Sequence, residues 1–296
     1  MIKQCKIDLT FPFRLVLLCL TFSCAFHLAP TYAVETSGEV AATSGYKDTR
    51  IVQVFAPEVS EALKQDGTGF YNDIWQLALS GFDRPTLTIV PHRRSNFMFI
   101  NTEGSCRFPA VSHFKKIKDE KAIASAPFIK MIVRAYTKPG IKAPHSPTDF
   151  ISKKIVISPH YVLPVPYQDV SASTMVIMSE RQRATMLLSG RVDIMISSMP
   201  VSEFVFRSFG VKEPLYDNKL VIGEYNLSLV CHRTPVNEEL IKRFNMQLEM
   251  IQQDGSLAAL FSRYDIEYDL YRPGDERTMT IPLPASMQQD KIDVLD

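Results

Sequence analysis

The sequence predicts an α/β fold of two similar lobes joined by a hinge of two strands. Patterns typical of strands and helices alternate in the order β-α-β-α-β, stop at a boundary rich in proline and glycine near 139–144, and then begin again. This order is typical of parallel sheets with helices on their faces. Two extended stretches, near 126–136 and 223–232, connect the two patterns. Two lobes linked in this way form a clamp that holds its ligand in the cleft between them.

Segment 183–200 shows how a lobe would place polar side chains in the cleft. Ser179 can cap a short helix, and the buried strand after that helix opens into Ser197 and Ser198. Because ligands of open α/β sheets bind at the carboxyl ends of the strands, both hydroxyls are predicted to lie in the cleft. Asp193, between the helix and the strand, is expected to hold a backbone amide instead.

In the first lobe, strand 50–55 is followed by a glycine turn and a helix over 70–79. Phe70 and Tyr71 stand directly after the turn, where aromatic side chains commonly enclose a ligand and where a phenol can both pack and form a hydrogen bond. Ordinary core packing is the alternative for Phe70. Trp75, farther into the helix, is expected in the core.

Two more pairs of candidate residues follow in the first lobe. Arg93 and Arg94 start a helix after the second strand, where a cation is poorly placed for the helix dipole. One of the two arginines would then bind a ligand anion or contact the other lobe. The alternative is that both are ordinary solvent-exposed residues. Phe108 and Ser112 flank the end of the third strand and are candidate ligand contacts.

The second lobe contributes a further pair of candidates. His160 and Tyr161 occupy the loop after its first strand, and a surface histidine is the alternative for the first of them. The remaining predicted elements are strands at 86–90, 106–111, 154–158 and 174–178 and helices at 93–100, 147–152, 202–209, 237–253 and 256–264, with Asn237 as the cap of the long one.

Residues 1–33 are interpreted as a secretory signal peptide. Their apolar run at 15–26 is short for a membrane span, and small residues suited to cleavage follow it. A lipid anchor at Cys24 is disfavoured by the bulky residue two positions before it. Residues 34–48 would form a flexible leader. The mature protein is therefore expected in the periplasm and in solution.

Charge and cysteine content limit the function classes. The 296 residues carry a formal net charge of +1, whereas a nucleic-acid-binding surface needs a basic stripe. Without the signal peptide two cysteines remain, Cys106 and Cys231. In an exported protein they can form a disulfide, or they can be two separate core thiols. No cysteine or histidine spacing fits zinc, and no metal or cofactor is expected.

Four segments carry a family resemblance. They are the helix start at 69–74 (GFYNDI), the opening of the second lobe at 146–157 (SPTDFISKKIVI), the helix–glycine–strand element at 183–198, and the closing short helix at 257–264 (LAALFSRY). Together they resemble the extracytoplasmic solute-binding proteins of family 3, the amino-acid-type receptors of ABC importers. The resemblance implies a two-lobed, periplasmic-binding-protein-like fold of type II. The predicted division is lobe 1 at 49–132 plus 233–272, lobe 2 at 133–232, and a polar C-terminal tail at 273–296.

Two departures from the family pattern indicate a divergent branch. Amino-acid receptors of the family carry a hydroxyl and, three residues later, an arginine that forks onto the ligand carboxylate. Here Ser112 is followed by Lys115, a point charge without bidentate geometry. The turn at 159–164, usually rich in glycine, begins and ends with proline. Both departures argue against a standard α-amino acid as the ligand.

The leading hypothesis is a non-enzymatic receptor that closes its lobes over a small polar metabolite, amino-acid-like or an organic anion. An importer permease or the sensor domain of a membrane signalling protein would recognise the closed form. A monomer without a nucleic-acid partner is expected. The alternative is a periplasmic dehydratase of the cyclohexadienyl type on the same scaffold, with Glu203 or Glu224 as the acid.

Overall fold

The computed structural model describes residues 52–111, 119–159, 174–212 and 214–274. Its strands are β1 Val54–Pro57, β2 Leu87–Val90, β3 Cys106–Val111, β4 Ala122–Ala124, β5 Ile129–Thr137, β6 Ile155–Ile157, β7 Thr174–Val176, β8 Ile194–Met199 and β9 Gly223–His232. Its helices are α1 Phe70–Ala78, α2 His92–Asn101, α3 Glu180–Leu188, α4 Val201–Ser208, α5 Pro235–Gln253, α6 Ser256–Arg263 and α7 Tyr268–Tyr271, with 3₁₀ turns at Asp119–Lys121 and Pro147–Phe150. The predicted signal peptide, the leader and the tail beyond Gly274 lie outside the described residues.

The strands of the described residues join one sheet in the order β2-β1-β3-β9-β5-β8-β6-β7, with β4 beside β9. β1 runs parallel to β2 and β3, and β6 runs parallel to β7 and β8. β9 and β5 stand between these groups and pair with each other and with their neighbours in the antiparallel sense. Each lobe therefore has its own parallel strands, and two long strands connect the lobes. The predicted fold class is confirmed.

Short polar residues begin two of the predicted helices. At the start of α3 the Ser179 hydroxyl accepts a backbone N–H of the first turn at 3.3 Å, as predicted. The prediction that Asn237 caps α5 was wrong. Thr234 is the cap, and its hydroxyl accepts the Asn237 N–H at 3.2 Å. The helix begins earlier because Pro235 has no N–H to leave unpaired and its fixed φ suits the first helical position.

The sequence did not predict α7, which brings the chain back across the lobe junction after α6. Tyr271 is its buried anchor, and the Tyr271 hydroxyl donates to the carboxylate of Glu203 on α4. Three residues later the Gly274 carbonyl accepts the side-chain amide of Asn226 on β9 at 2.7 Å. Residues 264–274 therefore contact both α4 and a strand of the hinge.

The main apolar core extends through both lobes. Its buried members include Phe108 and Phe244 in the first lobe and Met195 and Phe206 in the second. A second buried cluster, which includes Ile194, covers the other face of the second-lobe strands. Since fully burying one such side chain stabilises a fold by about 1.5–3 kcal/mol, the continuous core favours contact between the lobes.

A disulfide joins Cys106 and Cys231, which settles the question that the sequence left open. The two residues stand opposite each other in the antiparallel ladder of β3 and β9. Both are fully buried. The bond spans 125 positions of the chain, so it closes a long loop in the unfolded state. It therefore ties the hinge strand β9 covalently to the parallel strands of the first lobe.

We predict that replacing both cysteines, Cys106→Ala with Cys231→Ala, lowers the free energy of unfolding by about 2–5 kcal/mol, because the unfolded chain loses its cross-link. Urea denaturation with and without dithiothreitol measures the change. The wild type should lose stability on reduction, while the double variant should not respond. Equal midpoints for the oxidised and the reduced wild type would contradict a structural bond.

Candidate functional site

The candidate site is the junction between the two lobes. β1 and β3 of the first lobe are parallel, as are β6 and β8 of the second. The chain leads from the carboxyl ends of β1 and β8 to α1 and α4, whose Phe70 and Phe204 rings meet at this junction, 5.5 Å apart. Such edges bind ligands in open α/β sheets. Three predicted contacts, Ser112, His160 and Tyr161, lie outside the described residues.

Gly69 determines how the first lobe reaches the junction. Its φ is +121°, and a Cβ at this position would lie 2.7 Å from the carbonyl oxygen of Ala62. The same oxygen accepts the N–H of Tyr71 at 2.7 Å. Only glycine tolerates both the conformation and the close approach. The loop between β1 and α1 therefore closes onto the start of α1 and directs Phe70 towards the second lobe.

Phe70 is fully buried and touches both lobes. Its ring centroid lies 5.0 Å from that of Phe261, 5.3 Å from that of Tyr264 and 5.5 Å from that of Phe204 on α4. The Tyr264 hydroxyl donates to Asp73 at 2.9 Å, and burial together with this carboxylate raises the pKa of Tyr264 to about 12. The structure thus places Phe70 in an aromatic cluster that holds the lobes together, and its contact with a ligand stays a prediction.

Tyr71 and Phe108 lie in the first-lobe core, beneath the junction. Tyr71 is 2% exposed, and the Phe108 ring stacks on Phe128 at 5.0 Å. The Trp75 ring lies 4.9 Å from that of Phe108, and its indole N–H donates to the Pro85 carbonyl at 3.3 Å. The expectation that Trp75 is a core residue is confirmed. The rings that pack on Phe108 belong to the first lobe, and contact of Tyr71 or Phe108 with a ligand stays a prediction.

A buried polar network holds the end of β8. The Ser197 hydroxyl donates to the carboxylate of Glu180, the first residue of α3, and Arg183 donates to the same carboxylate. Arg183 also donates to two backbone carbonyls just before α3, at 2.6 and 2.8 Å. Burial raises the pKa of Glu180, while Arg183 and Ser197 act in the opposite direction. Ser197 therefore anchors the end of β8 to the start of α3 through Glu180.

Sequence reasoning missed Glu180 and Arg183. The sequence did contain a signal for this pair, because oppositely charged residues three positions apart on a helix commonly form an ion pair. Their burial could not be inferred, since it depends on β8 lying against the helix. Ser198 was predicted with Ser197, and it is also buried, at 4% exposure. Successive strand residues point to opposite faces, so Ser198 lies on the face of Ile196 rather than with Ser197. Its contact with a ligand stays a prediction.

Arg93 and Arg94 are exposed at the start of α2. Phe99 of this helix packs with Phe55, whereas Phe70 of α1 belongs to the cluster of Val54. Adjacent strand residues face opposite ways, so α1 and α2 cover opposite faces of the first-lobe strands. The structure does not bring the arginines next to Phe70. Within the described ranges, no hydrogen bond or ion pair engages either of them.

The carboxylates singled out from the sequence all have partners. Asp193 accepts the Lys154 N–H at 2.9 Å and pairs with the Lys138 ammonium at 2.6 Å, which confirms the expected role of holding a backbone amide. Glu224 lies on hinge strand β9, with its carboxylate 3.5 Å from the Lys130 ammonium.

Glu203 on α4 is the second of the two acids proposed for a dehydratase. It accepts the Tyr271 hydroxyl, and Arg207 lies 3.9 Å from its carboxylate. Burial raises the pKa of Glu203, although Tyr271 and Arg207 lower it. A carboxyl group with a raised pKa has the property required of a general acid, but here it faces the chain segment that follows α6.

The junction contains a crevice of about 280 Å³, lined by both lobes: Glu61, Phe204, Arg207, Ser208, Arg263, Tyr264 and Asp265. A larger cavity of about 470 Å³ lies at the amino end of β3, beside Gly104 and the start of α5. We favour the crevice as part of the ligand site, because it lies where the lobes meet. No group of side chains in the described part of the chain fits a metal ion. The described helices include none that is long and apolar enough to cross a membrane.

Comparison with known proteins confirms the fold. The sequence matches no family model and no curated protein. A histidine kinase sensor domain described as similar to periplasmic binding proteins aligns with a TM-score of 0.57 and 10% identity, over 74% of this chain and 98% of its own. The GluR0 ligand-binding core from Nostoc punctiforme, solved with L-glutamate, gives 0.55 and 15%, over 72% and 98%.

A third solved structure bears on the enzyme alternative. It is an ancestral amino-acid-binding protein described as a precursor of cyclohexadienyl dehydratase, and it aligns with a TM-score of 0.53 and 15% identity, over 72% of this chain and 94% of its own. At such identities the likeness defines the fold alone. The chain therefore has the two-lobed, periplasmic-binding-protein-like fold that binding proteins, sensor domains and this ancestral protein share.

We predict that Ser197→Ala lowers the free energy of unfolding by about 1–3 kcal/mol, because the buried Glu180 carboxylate loses a hydrogen-bond donor. Ser189→Ala, at the exposed end of α3, is the matched control and should stay within about 0.5 kcal/mol of the wild type. Urea denaturation measures both. If Ser197→Ala were as stable as the control but bound ligand more weakly, Ser197 would be a ligand contact and not a structural residue.

Asp193 should make stability depend on pH. The hydrogen bond from Lys138, followed by that from the Lys154 N–H, lowers the pKa of Asp193 below its value of 3.8 in the unfolded chain. Its contribution is therefore present above about pH 4 and is lost as the pH falls through the folded-state pKa. Asp193→Asn should be less stable than the wild type at pH 7 by about 0.5–1 kcal/mol, and the difference should shrink in acid. A difference that stays constant down to pH 2 would refute this assignment.

Proposed function

We propose that this protein is a periplasmic receptor that closes its two lobes over a small polar metabolite. One observation carries the proposal: two sets of parallel strands end at a common junction, and two antiparallel strands, β5 and β9, connect them. A ligand bound between such lobes gains contacts with both only when they close, so it favours the closed form. The shared fold of the glutamate-bound core and the kinase sensor domain supports this function.

The proposed ligand is amino-acid-like or an organic anion. Proposed contacts on described residues are aromatic side chains at and beneath the junction, the hydroxyl groups of β8 and the two exposed arginines: Phe70, Tyr71, Phe108, Ser197, Ser198, Arg93 and Arg94. Proposed contacts outside the described residues are Ser112, His160 and Tyr161. Aromatic rings would enclose the apolar part of the ligand, and hydroxyl and cationic groups would orient its polar part.

The closed receptor would be recognised by an importer permease or by the sensor domain of a signalling protein. We propose that residues 1–33 direct export, that residues 49–132 with 233–272 form lobe 1, and that residues 133–232 form lobe 2. The disulfide fits a periplasmic location, because such bonds persist in oxidising compartments. The receptor would act as a monomer, without a metal or cofactor.

A thermal-shift screen of residues 34–296 against amino acids, polyamines, organic acids and small peptides tests the proposal. Ligand at a hundred times its dissociation constant should stabilise the folded state by about 2.7 kcal/mol and raise the melting temperature. A compound that raises it should do so less with Ser198→Ala or Tyr71→Phe, since each change removes one hydroxyl and keeps the remaining shape.

Ser262→Ala, which removes a hydroxyl from the exposed side of α6, is the matched control and should respond as the wild type does. The proposal fails if no compound in the panel raises the melting temperature while the protein consumes prephenate. It also fails if the junction variants and the control respond equally to every active compound.

The second candidate function is a dehydratase, favoured by the likeness to the ancestral precursor and by the raised pKa of Glu203. In this case Glu203→Gln should abolish prephenate consumption, because an amide cannot donate the proton of a general acid. Glu224→Gln is the companion variant. If prephenate stabilised the protein but was not consumed, prephenate would be a ligand of a receptor and not a substrate.

A further inference from the structure

Glu61 has an uncommon backbone conformation in the loop between β1 and α1. Its φ is +60°, in the left-handed region that residues other than glycine seldom occupy. Conformations of this kind persist where the surroundings enforce them, and they concentrate at functional sites and switch regions. Glu61 lies at the tip of the loop, and its side chain reaches the second lobe.

The first lobe holds this loop firmly. The Leu63 N–H donates to the Val59 carbonyl at 2.8 Å, which closes the tip around Glu61. The Asn72 side chain on α1 then accepts the Lys64 N–H at 3.0 Å and donates to the Lys64 carbonyl at 3.2 Å. The loop that carries Glu61 is thus held on α1 by contacts within the first lobe.

The second lobe holds a matching cation. Arg181, in the first turn of α3, donates to the Glu61 carboxylate at 2.9 Å. The same guanidinium donates to the Ser208 hydroxyl at 2.8 Å and lies 4.4 Å from the centre of the Phe209 ring. Ser208 ends α4 and Phe209 follows it, so these two contacts stay within the second lobe. Arg181 is therefore oriented by its own lobe and meets Glu61 only when the lobes are together.

We propose that Glu61 and Arg181 form a closure latch that favours the closed lobes even without ligand. The latch rests on the proposed function in one respect, since it assumes that the lobes open and close. The aromatic cluster of Phe70 and Phe204 also joins the lobes, but its apolar contacts do not depend on salt. The ion pair adds a directional, salt-sensitive contact at the rim. The unliganded receptor would then be partly closed, and ligand would complete the shift.

The solvent exposure of the two side chains determines how strongly the ion pair should favour the closed lobes. The Glu61 and Arg181 side chains are 30% and 48% exposed, and ion pairs at such positions are weak. Breaking the pair should therefore lower the ratio of closed to open molecules by about 1.5-fold to fivefold. A shift of this size leaves the fold intact and changes only the balance between the two states.

Single-molecule energy transfer on residues 34–296 without ligand measures this balance. One dye would be attached at Gln252→Cys on α5 and the other at Arg191→Cys in the second lobe; both positions are exposed. Glu61→Gln and Arg181→Gln should each increase the fraction with the longer interdye distance, and the two together should increase it no more than either alone. The reversed pair, Glu61→Arg with Arg181→Glu, should recover part of the closed fraction.

Glu238→Gln provides the matched control. It breaks an exposed pair with Arg233 at 3.2 Å that lies wholly within the first lobe, so the interdye distance should not change. Raising the salt concentration should open the wild type, because salt screens its ion pair. It should have little effect on Glu61→Gln, in which that pair is already absent. Equal distance distributions in the wild type and both single variants overturn the latch. This result would leave the receptor function intact, because no ligand takes part in the measurement.

Discussion

The pairing of β9 with both β3 and β5 is the constraint on which the rest of this structure depends. β9 is joined to the first lobe by its ladder with β3 and by the Cys106–Cys231 bond, and its ladder with β5 leads into the second. In the proposed receptor the lobes would rotate about this link. The aromatic cluster and the ion pair at the junction would then act on the balance between open and closed lobes.

Polar groups at the junction are held within each lobe before any ligand arrives. In the second lobe, Glu180 and Arg183 fix Ser197 at the end of β8. In the first, Asn72 and the close approach at Gly69 fix the loop that carries Glu61. A site whose side chains are already oriented loses less conformational entropy on binding. Such preorganisation suits the proposed receptor, because binding then costs less in the ordering of side chains.

The sequence predicted the architecture because its signals are local. Alternating strand and helix patterns, Ser179 at a helix start and the apolar stripe of α5 each depend on neighbouring residues, and the structure contains all three. The site was harder to predict, because its contacts join distant segments: Ser197 meets Glu180 from 17 positions away, and Arg181 meets Glu61 from 120. Phe70 illustrates the limit, since an aromatic residue after a glycine turn is equally typical of a ligand wall and of a core, and only packing distinguishes them.

Hydrogen–deuterium exchange of residues 34–296, with and without a compound that raises the melting temperature, tests the central claim most directly. A ligand held between the lobes should slow exchange at once in 57–71 of the first lobe and in 197–204 of the second, because both segments border the same junction. Protection confined to one lobe, or centred on the cavity beside Gly104 and the start of α5, would contradict the account.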